Sequence, residues 1–194
     1  MNKSMKLSEH FTLGELCKTK YVTEDGNIPS RVHIENLKRI CENWLEDLRY
    51  SYNMLYVHSG VRPQSKVVAG VRPQSKVAGD CTLAPDPGAA PDPGAAPASR
   101  KEEPIVINSG YRSPEVNRLA GGAANSNHLS GCAVDIRCVG KEQMIRYASI
   151  LLDIADGSKQ EYDELLLEQH GSVCWLHFAV RPKENRRIIR FLRV

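Results

Sequence analysis

The chain has 194 residues, enough for one domain with a sizeable core, and its 26 basic and 23 acidic residues leave a net charge of only +3. That balance offers no electrostatic footprint for a nucleic-acid partner. No apolar run is long enough to span a bilayer, and the opening Met1-Asn2-Lys3-Ser4-Met5-Lys6 leads into polar sequence without the apolar core of a secretory signal. The expectation is therefore a protein that is cytoplasmic as synthesised and makes no membrane contact; its oligomeric state stays open.

In chain order, residues 8–18 read as a short helix capped by Ser8, with Phe11, Leu13 and Leu16 as its apolar positions. Gly26-Asn27-Ile28-Pro29 is a turn. Ser30 then caps an amphipathic helix to about Tyr50, in which Val32, Ile34, Leu37, Ile40, Cys41, Trp44, Leu45 and Leu48 recur at helical spacing. That spacing makes Trp44 a core residue.

Residues 59–101 differ in kind. Val-Arg-Pro-Gln-Ser-Lys-Val occurs at 61–67 and again at 71–77, and Pro-Asp-Pro-Gly-Ala-Ala at 85–90 and again at 91–96. The copies are too short and too few for a solenoid, and a stretch rich in Pro, Gly and Ala without aromatics buries too little to offset its ordering entropy. It reads as a low-complexity insert within a single domain spanning residues 1–194.

Residues 104–108 read as a strand. Ser113 caps a helix with Pro114 at its first position, running to about Leu119. Residues 120–131 form a loop that carries His128. Residues 132–139 alternate as a half-buried strand, with Val134 and Ile136 toward a core and Ala133, Asp135 and Arg137 toward the other side. Lys141 to Asp156 reads as a helix burying Met144, Ile145, Ala148, Leu151, Leu152 and Ala155, ended near Gly157. Residues 165–168 and 175–178 are two strands joined through a loop containing Gly171. Residues 185–194 are a final strand or a short helix whose arginines form a solvated face. The whole predicts an α+β fold: a small antiparallel sheet packed by helices.

His128 on a loop and Asp135 on the strand it feeds are two good ligands for a divalent cation. His177, on the late strand with Trp175 and Ala179 on its side, is the candidate third. A His, Asp, His set leaves one position of a tetrahedral zinc open, the mark of a catalytic site. The six cysteines, Cys17, Cys41, Cys81, Cys132, Cys138 and Cys174, contain no Cys-x-x-Cys pair, which argues against a cysteine zinc site. Cys132 and Cys138 read as small buried hydrophobes.

The pattern Ser126-x-His128-x-x-Gly131-x-Ala133-x-Asp135, followed by Trp175-x-His177, resembles the zinc D-alanyl-D-alanine carboxypeptidases and L-alanyl-D-glutamate peptidases that cut bacterial cell-wall peptides, and that share the fold of the hedgehog signalling domain. The stretch from Ile107 to Asn117, with Ser109-Gly110-Tyr111-Arg112, and the opening from Leu7 to Leu16 extend the likeness. The resemblance implies a hedgehog/DD-peptidase-like fold, a zinc ion on His128, Asp135 and His177, and peptidoglycan stem peptides as substrate. Acting on the wall then requires release from the cytoplasm, as phage lysis enzymes achieve with a separate pore.

The family usually places a carboxylate general base three residues before the last histidine. Here Cys174 stands at that position. Glu168, the nearest acid upstream, is the candidate, with Asp163 and Glu164 as runners-up and His170 as an aid to proton transfer. The resemblance makes Arg112 the clamp for an oxyanion or substrate carboxylate, since its guanidinium presents a rigid donor fork. Arg62 echoes it in Val57-His58-Ser59-Gly60-Val61-Arg62. Ser126 either binds substrate or caps the metal loop, and Asn108 and Tyr111 hold that loop. The alternative is a non-catalytic, metal-bound wall-binding module of the same fold, favoured by the missing acid at position 174.

Overall fold

A computed structural model describes residues 2–58 and 101–193. The repeat insert, Cys81 and Arg62 lie outside the described residues.

Helix α1 is Leu13–Leu16, shorter than the predicted segment, because Thr12 rather than Ser8 caps it. Thr12 Oγ1 accepts from the Glu15 amide while the Glu15 carboxylate accepts from the Thr12 amide, a reciprocal box that satisfies two otherwise orphan donors. Ser8 instead donates to Glu46 Oε1 at 2.6 Å. Ser30 caps α2 (Arg31–Ile40) as expected, but Val32 in its first turn is exposed rather than on the buried side, and the helical path runs past Tyr50. It continues through a π-turn segment at Cys41–Leu45, α3 (Glu46–Tyr52) and a second π-turn segment at Asn53–His58. Asn53 pairs with both backbone groups of Glu103, at 3.0 and 2.7 Å, and so ties the end of this helical run to the chain that enters the sheet.

The sheet has five strands in the order β1-β2-β4-β3-β5. They are β1 (Ile107–Ser109), β2 (Ala133–Cys138), β3 (Glu164–His170), β4 (Val173–Ala179) and β5 (Ile188–Arg193). Between β1 and β2 lie α4 (Pro114–Leu119), capped by Ser113 with Pro114 at its first position, and a 3-10 turn at Asn127–Ser130. Helix α5 (Gly140–Ser158) joins β2 to β3.

The α+β expectation holds, with one correction: the sheet is mixed, because β5 runs parallel to β3. After β4 the chain crosses the start of β3 and re-enters beside it, with Glu164 opposite Ile188. The crossing is pinned at Asp163, whose carbonyl accepts from the Ile188 amide at 2.9 Å and whose amide donates to Ala179 at 2.7 Å. The last segment is thus a strand, and its arginines are not simply a solvated face. Arg186 reaches the buried carboxylate of Asp163, and Arg187 pairs with Asp156.

One face of the sheet is the core. Val134, Ile136, Leu165, Leu167, Leu176 and Phe178 share one hydrophobic core with residues of α2, α3 and α5, with Trp44 fully buried and 5.0 Å from the Phe178 ring. Cys132, Cys138 and Cys174 are buried free thiols. Two details of α5 differ from the periodic reading. Ile145 is exposed, and Gly157 lies inside the helix, which ends where Lys159 adopts a left-handed backbone. Among the described residues no helix is long and apolar enough to cross a membrane.

Candidate metal centre

The other face of the sheet carries the chemistry. Antiparallel pairing sets Asp135 directly opposite His177, and Arg137 opposite Trp175. On the far side of β4, Leu166 stands opposite His177, and Glu168 opposite Trp175. Side chains alternate across a sheet, so Asp135, Arg137, Trp175, His177, Glu164 and Glu168 share one face while their neighbours fill the core.

His128 arrives from the loop. Ser126 accepts from the His128 amide at 3.3 Å and caps the 3-10 turn. Gly131 ends that turn with φ of 68°, and a Cβ there would lie 2.6 Å from the His33 carbonyl oxygen, so glycine is required for both reasons. The His128 carbonyl accepts from the Arg112 amide at 3.1 Å, and its Nδ1–H donates to the Gly110 carbonyl at 2.5 Å. Gly110 in turn lies against the backbone of Leu16, where a Cβ would come within 2.4 Å of the carbonyl oxygen. The weakly patterned opening of the chain thereby props the ligand loop.

With Nδ1 bonded to Gly110, His128 Nε2 is left as a lone-pair donor. It lies 3.1 Å from Asp135 Oδ1 and 3.2 Å from His177 Nδ1, and these two are 2.9 Å apart. Donors on a tetrahedral zinc with bonds of about 2.0–2.1 Å are separated by about 3.3 Å. Two imidazole nitrogens and a carboxylate oxygen, all buried and converging at that spacing, fit a divalent cation.

Arg112 holds the other oxygen, Oδ2, of Asp135, and its Nε donates to Ser109 Oγ at 2.7 Å. That leaves Oδ1 turned toward the two histidines. Burial works against the charge on Asp135, but the contacts of His128 and His177 hold its carboxyl well below the usual range. Burial lowers the His128 imidazole. It also opposes protonation of His177, yet the contacts with Asp135 and Glu164 outweigh it and push that imidazole up to about 9.

A cavity of about 500 Å³ opens over these atoms, lined among others by the three ligand residues, Glu168, Trp175 and Ser126. Glu168 therefore faces the site, not solvent. Burial raises its carboxyl, and Trp175 Nε1–H donates to it.

The runners-up are occupied otherwise. Asp163 is fully buried and receives Arg186 Nε and Nη2 at 2.8 and 2.7 Å and Asn127 Nδ2 at 2.8 Å. Glu164 accepts from Asn127 and Arg186, with its Oε2 3.6 Å from His177 Nε2. His170 lies at the exposed end of β3 by the hairpin turn, and Tyr111 is buried and stacked on His33. Asn127 is the residue that sequence reasoning passed over. It links the metal loop to Asp163 and Glu164, and its one signal was its place directly before His128.

A mixed sheet thus bears a His, Asp, His cluster that could hold a divalent cation, in an open cavity with a raised glutamate on the same face, the donor set that metal-dependent hydrolases use. Residues 98–160 match the family model described as Peptidase M15, which bears out the resemblance read from the motif. Over that stretch, which holds Arg112, Ser126, His128 and Asp135, the chain is similar to this family of zinc peptidases, which supports a metallopeptidase. The match does not reach Glu168 or His177. No curated protein matches the chain.

Proposed function

We propose that this metallopeptidase hydrolyses D-amino-acid-containing peptide bonds of bacterial peptidoglycan, as a D-Ala-D-Ala carboxypeptidase or an endolysin-like endopeptidase, with zinc held by His128, Asp135 and His177. The observation that carries the reading is the 2.9–3.2 Å triangle of donor atoms with Glu168 on the same sheet face. When bound, zinc supplies Lewis acidity toward a peptide carbonyl and acidifies water at its open position.

The chain's own residues do the rest. Glu168 takes the proton of the attacking water at its carboxylate and returns it to the leaving amine. Its raised affinity for protons suits both halves of that shuttle. Trp175 fixes the glutamate through its indole N–H. Arg112 keeps Asp135 turned toward the histidines, and Gly110 fixes the His128 tautomer. The Arg112 donors not spent on Asp135 and Ser109 remain for developing negative charge on the substrate. Ser126 acts chiefly as the cap of the ligand loop.

The test is hydrolysis of a peptide ending in D-Ala-D-Ala and of a longer stem peptide by zinc-loaded protein, with released fragments identified by mass. Cleavage that stops with a chelator and returns with zinc is the expected result. A zinc-loaded protein that leaves both peptides intact refutes the reading and favours the second one, a metal-bound wall-binding module. The observation favouring that alternative is Cys174, buried on the core face at the position where an acid was expected.

A further inference from the structure

The metal cavity continues past Arg112 and Trp175 into a second recess of about 590 Å³, and Asp135, Arg112, Ala120 and Trp175 border both. Its charge is one-sided. Lys18 and Lys20 enter from the segment after α1, and Arg137 enters from β2, two residues beyond Asp135 on the same face. Asp135 is the one acidic residue of the lining, and its oxygens are already taken by Arg112, His128 and His177. Among the described residues, Lys18, Lys20 and Arg137 have no carboxylate within ion-pair distance. Arg137 also borders a smaller recess beside Glu103, whose carboxylate accepts from Gln143 instead.

Three uncompensated cations around one recess next to a reaction centre focus a positive potential there. The Arg137 guanidinium, opposite Trp175, presents a free fork of the kind that pairs with a carboxylate. The sequence motif had assigned that task to Arg112, but two of its donors are spent on Asp135 and Ser109.

We infer that the recess of Lys18, Lys20 and Arg137 is an anionic subsite: it takes a carboxylate of the peptide beside the metal centre and sets a preference for acidic over amidated peptides. This rests on the peptidase reading above. The apolar walls, Val106, Ile107, Val116 and the Trp175 ring, suit the aliphatic part of the residue that bears the carboxylate.

The test compares zinc-loaded parent with the double variant Lys20→Gln/Arg137→Gln by titration calorimetry. The probe is glutarate, a dicarboxylate with no bond to cleave. Any direct contact of glutarate with zinc is common to both proteins. The expected result is an affinity about tenfold weaker in the variant, with the single Arg137→Lys closer to the parent. A loss below about threefold in the double variant overturns the inference.

Hydrolysis is read separately. With a D-Ala-containing peptide carrying free carboxyls and the same peptide fully amidated, the acid-to-amide ratio of kcat/KM falls by a similar factor in the variant, and an unchanged ratio also overturns the subsite. A parent that binds glutarate through Lys20 and Arg137 but cleaves neither peptide refutes the peptidase reading alone.

Discussion

Glu168→Gln tests the proton shuttle proposed for this carboxylate. The substitution keeps the side chain's size and an oxygen for the Trp175 indole N–H, so the β3–β4 pairing and the cavity wall stay intact. It removes only the ability to accept a proton. Losing a positioned general base costs about 10²–10⁴-fold in kcat, about 2.7–5.5 kcal/mol of transition-state stabilisation. Glu168 is not among the three converging ligand residues, so zinc content measured by atomic absorption remains at one ion per chain, and the melting temperature moves little. Steady-state cleavage of a D-Ala-D-Ala peptide measures the loss. A Gln variant that keeps kcat within about threefold of the parent refutes the assignment, since no true base is lost so cheaply. Full loss of activity together with loss of zinc would refute it differently, by making Glu168 a support of the metal rather than a proton carrier.

The pH profile is linked to the same residue. The unprotonated carboxylate is the active form, and burial raises Glu168, so kcat falls on the acid side with a midpoint above the ordinary glutamate value of about 4.3; Trp175→Phe removes a contact that lowers it and moves that limb higher still. His128→Ala, Asp135→Ala and His177→Ala each leave two converging donors, and metal analysis after dialysis should find the ion largely gone from all three. Gly131→Ala combines a left-handed backbone with a clash against His33, and should cost about 2–4 kcal/mol in denaturant unfolding while weakening zinc binding through His128. Asp163 is held below its unfolded value by Arg186 and Asn127 against the pull of burial. The stability it contributes is therefore present above about pH 4 and is lost as pH falls through the depressed value; Asp163→Ala should cost roughly 3 kcal/mol at pH 7 by thermal unfolding, and less in acid.

Much of the centre was legible because its signals are local. The alternation of 132–139 put Asp135 on the face opposite Ile136, and the Trp175-x-His177 pattern did the same for the third candidate ligand; register then brought them together. Ser113 with Pro114 fixed the start of α4 without help from tertiary contacts. What escaped depends on segments far apart in sequence. The parallel placement of β5 is decided by Asp163 and its link to Arg186, an interaction that hydrophobic periodicity does not encode. The π-turn segments that carry the long helical run to His58 keep apolar residues inward without a cap or a proline to announce them. Arg112 was readable as important, but its tie to Asp135 was not, because an isolated motif does not reveal which donors are already spent.

The pairing of Asp135 with His177 ties two properties that are separable in many enzymes. Strand side chains alternate with a period of two, so sliding β4 by one residue against β2 would send His177 into the hydrophobic layer and bring Leu176 or Phe178 out beside Asp135. A tight Gly171-Ser172 turn meters β4 against β3, leaving little slack to absorb such a slip. An insertion or deletion of a single residue there would thus be felt as misfolding before it could be felt as weakened catalysis. A register change of two residues would instead keep the parity of β4 and return an inward-pointing neighbour to the core.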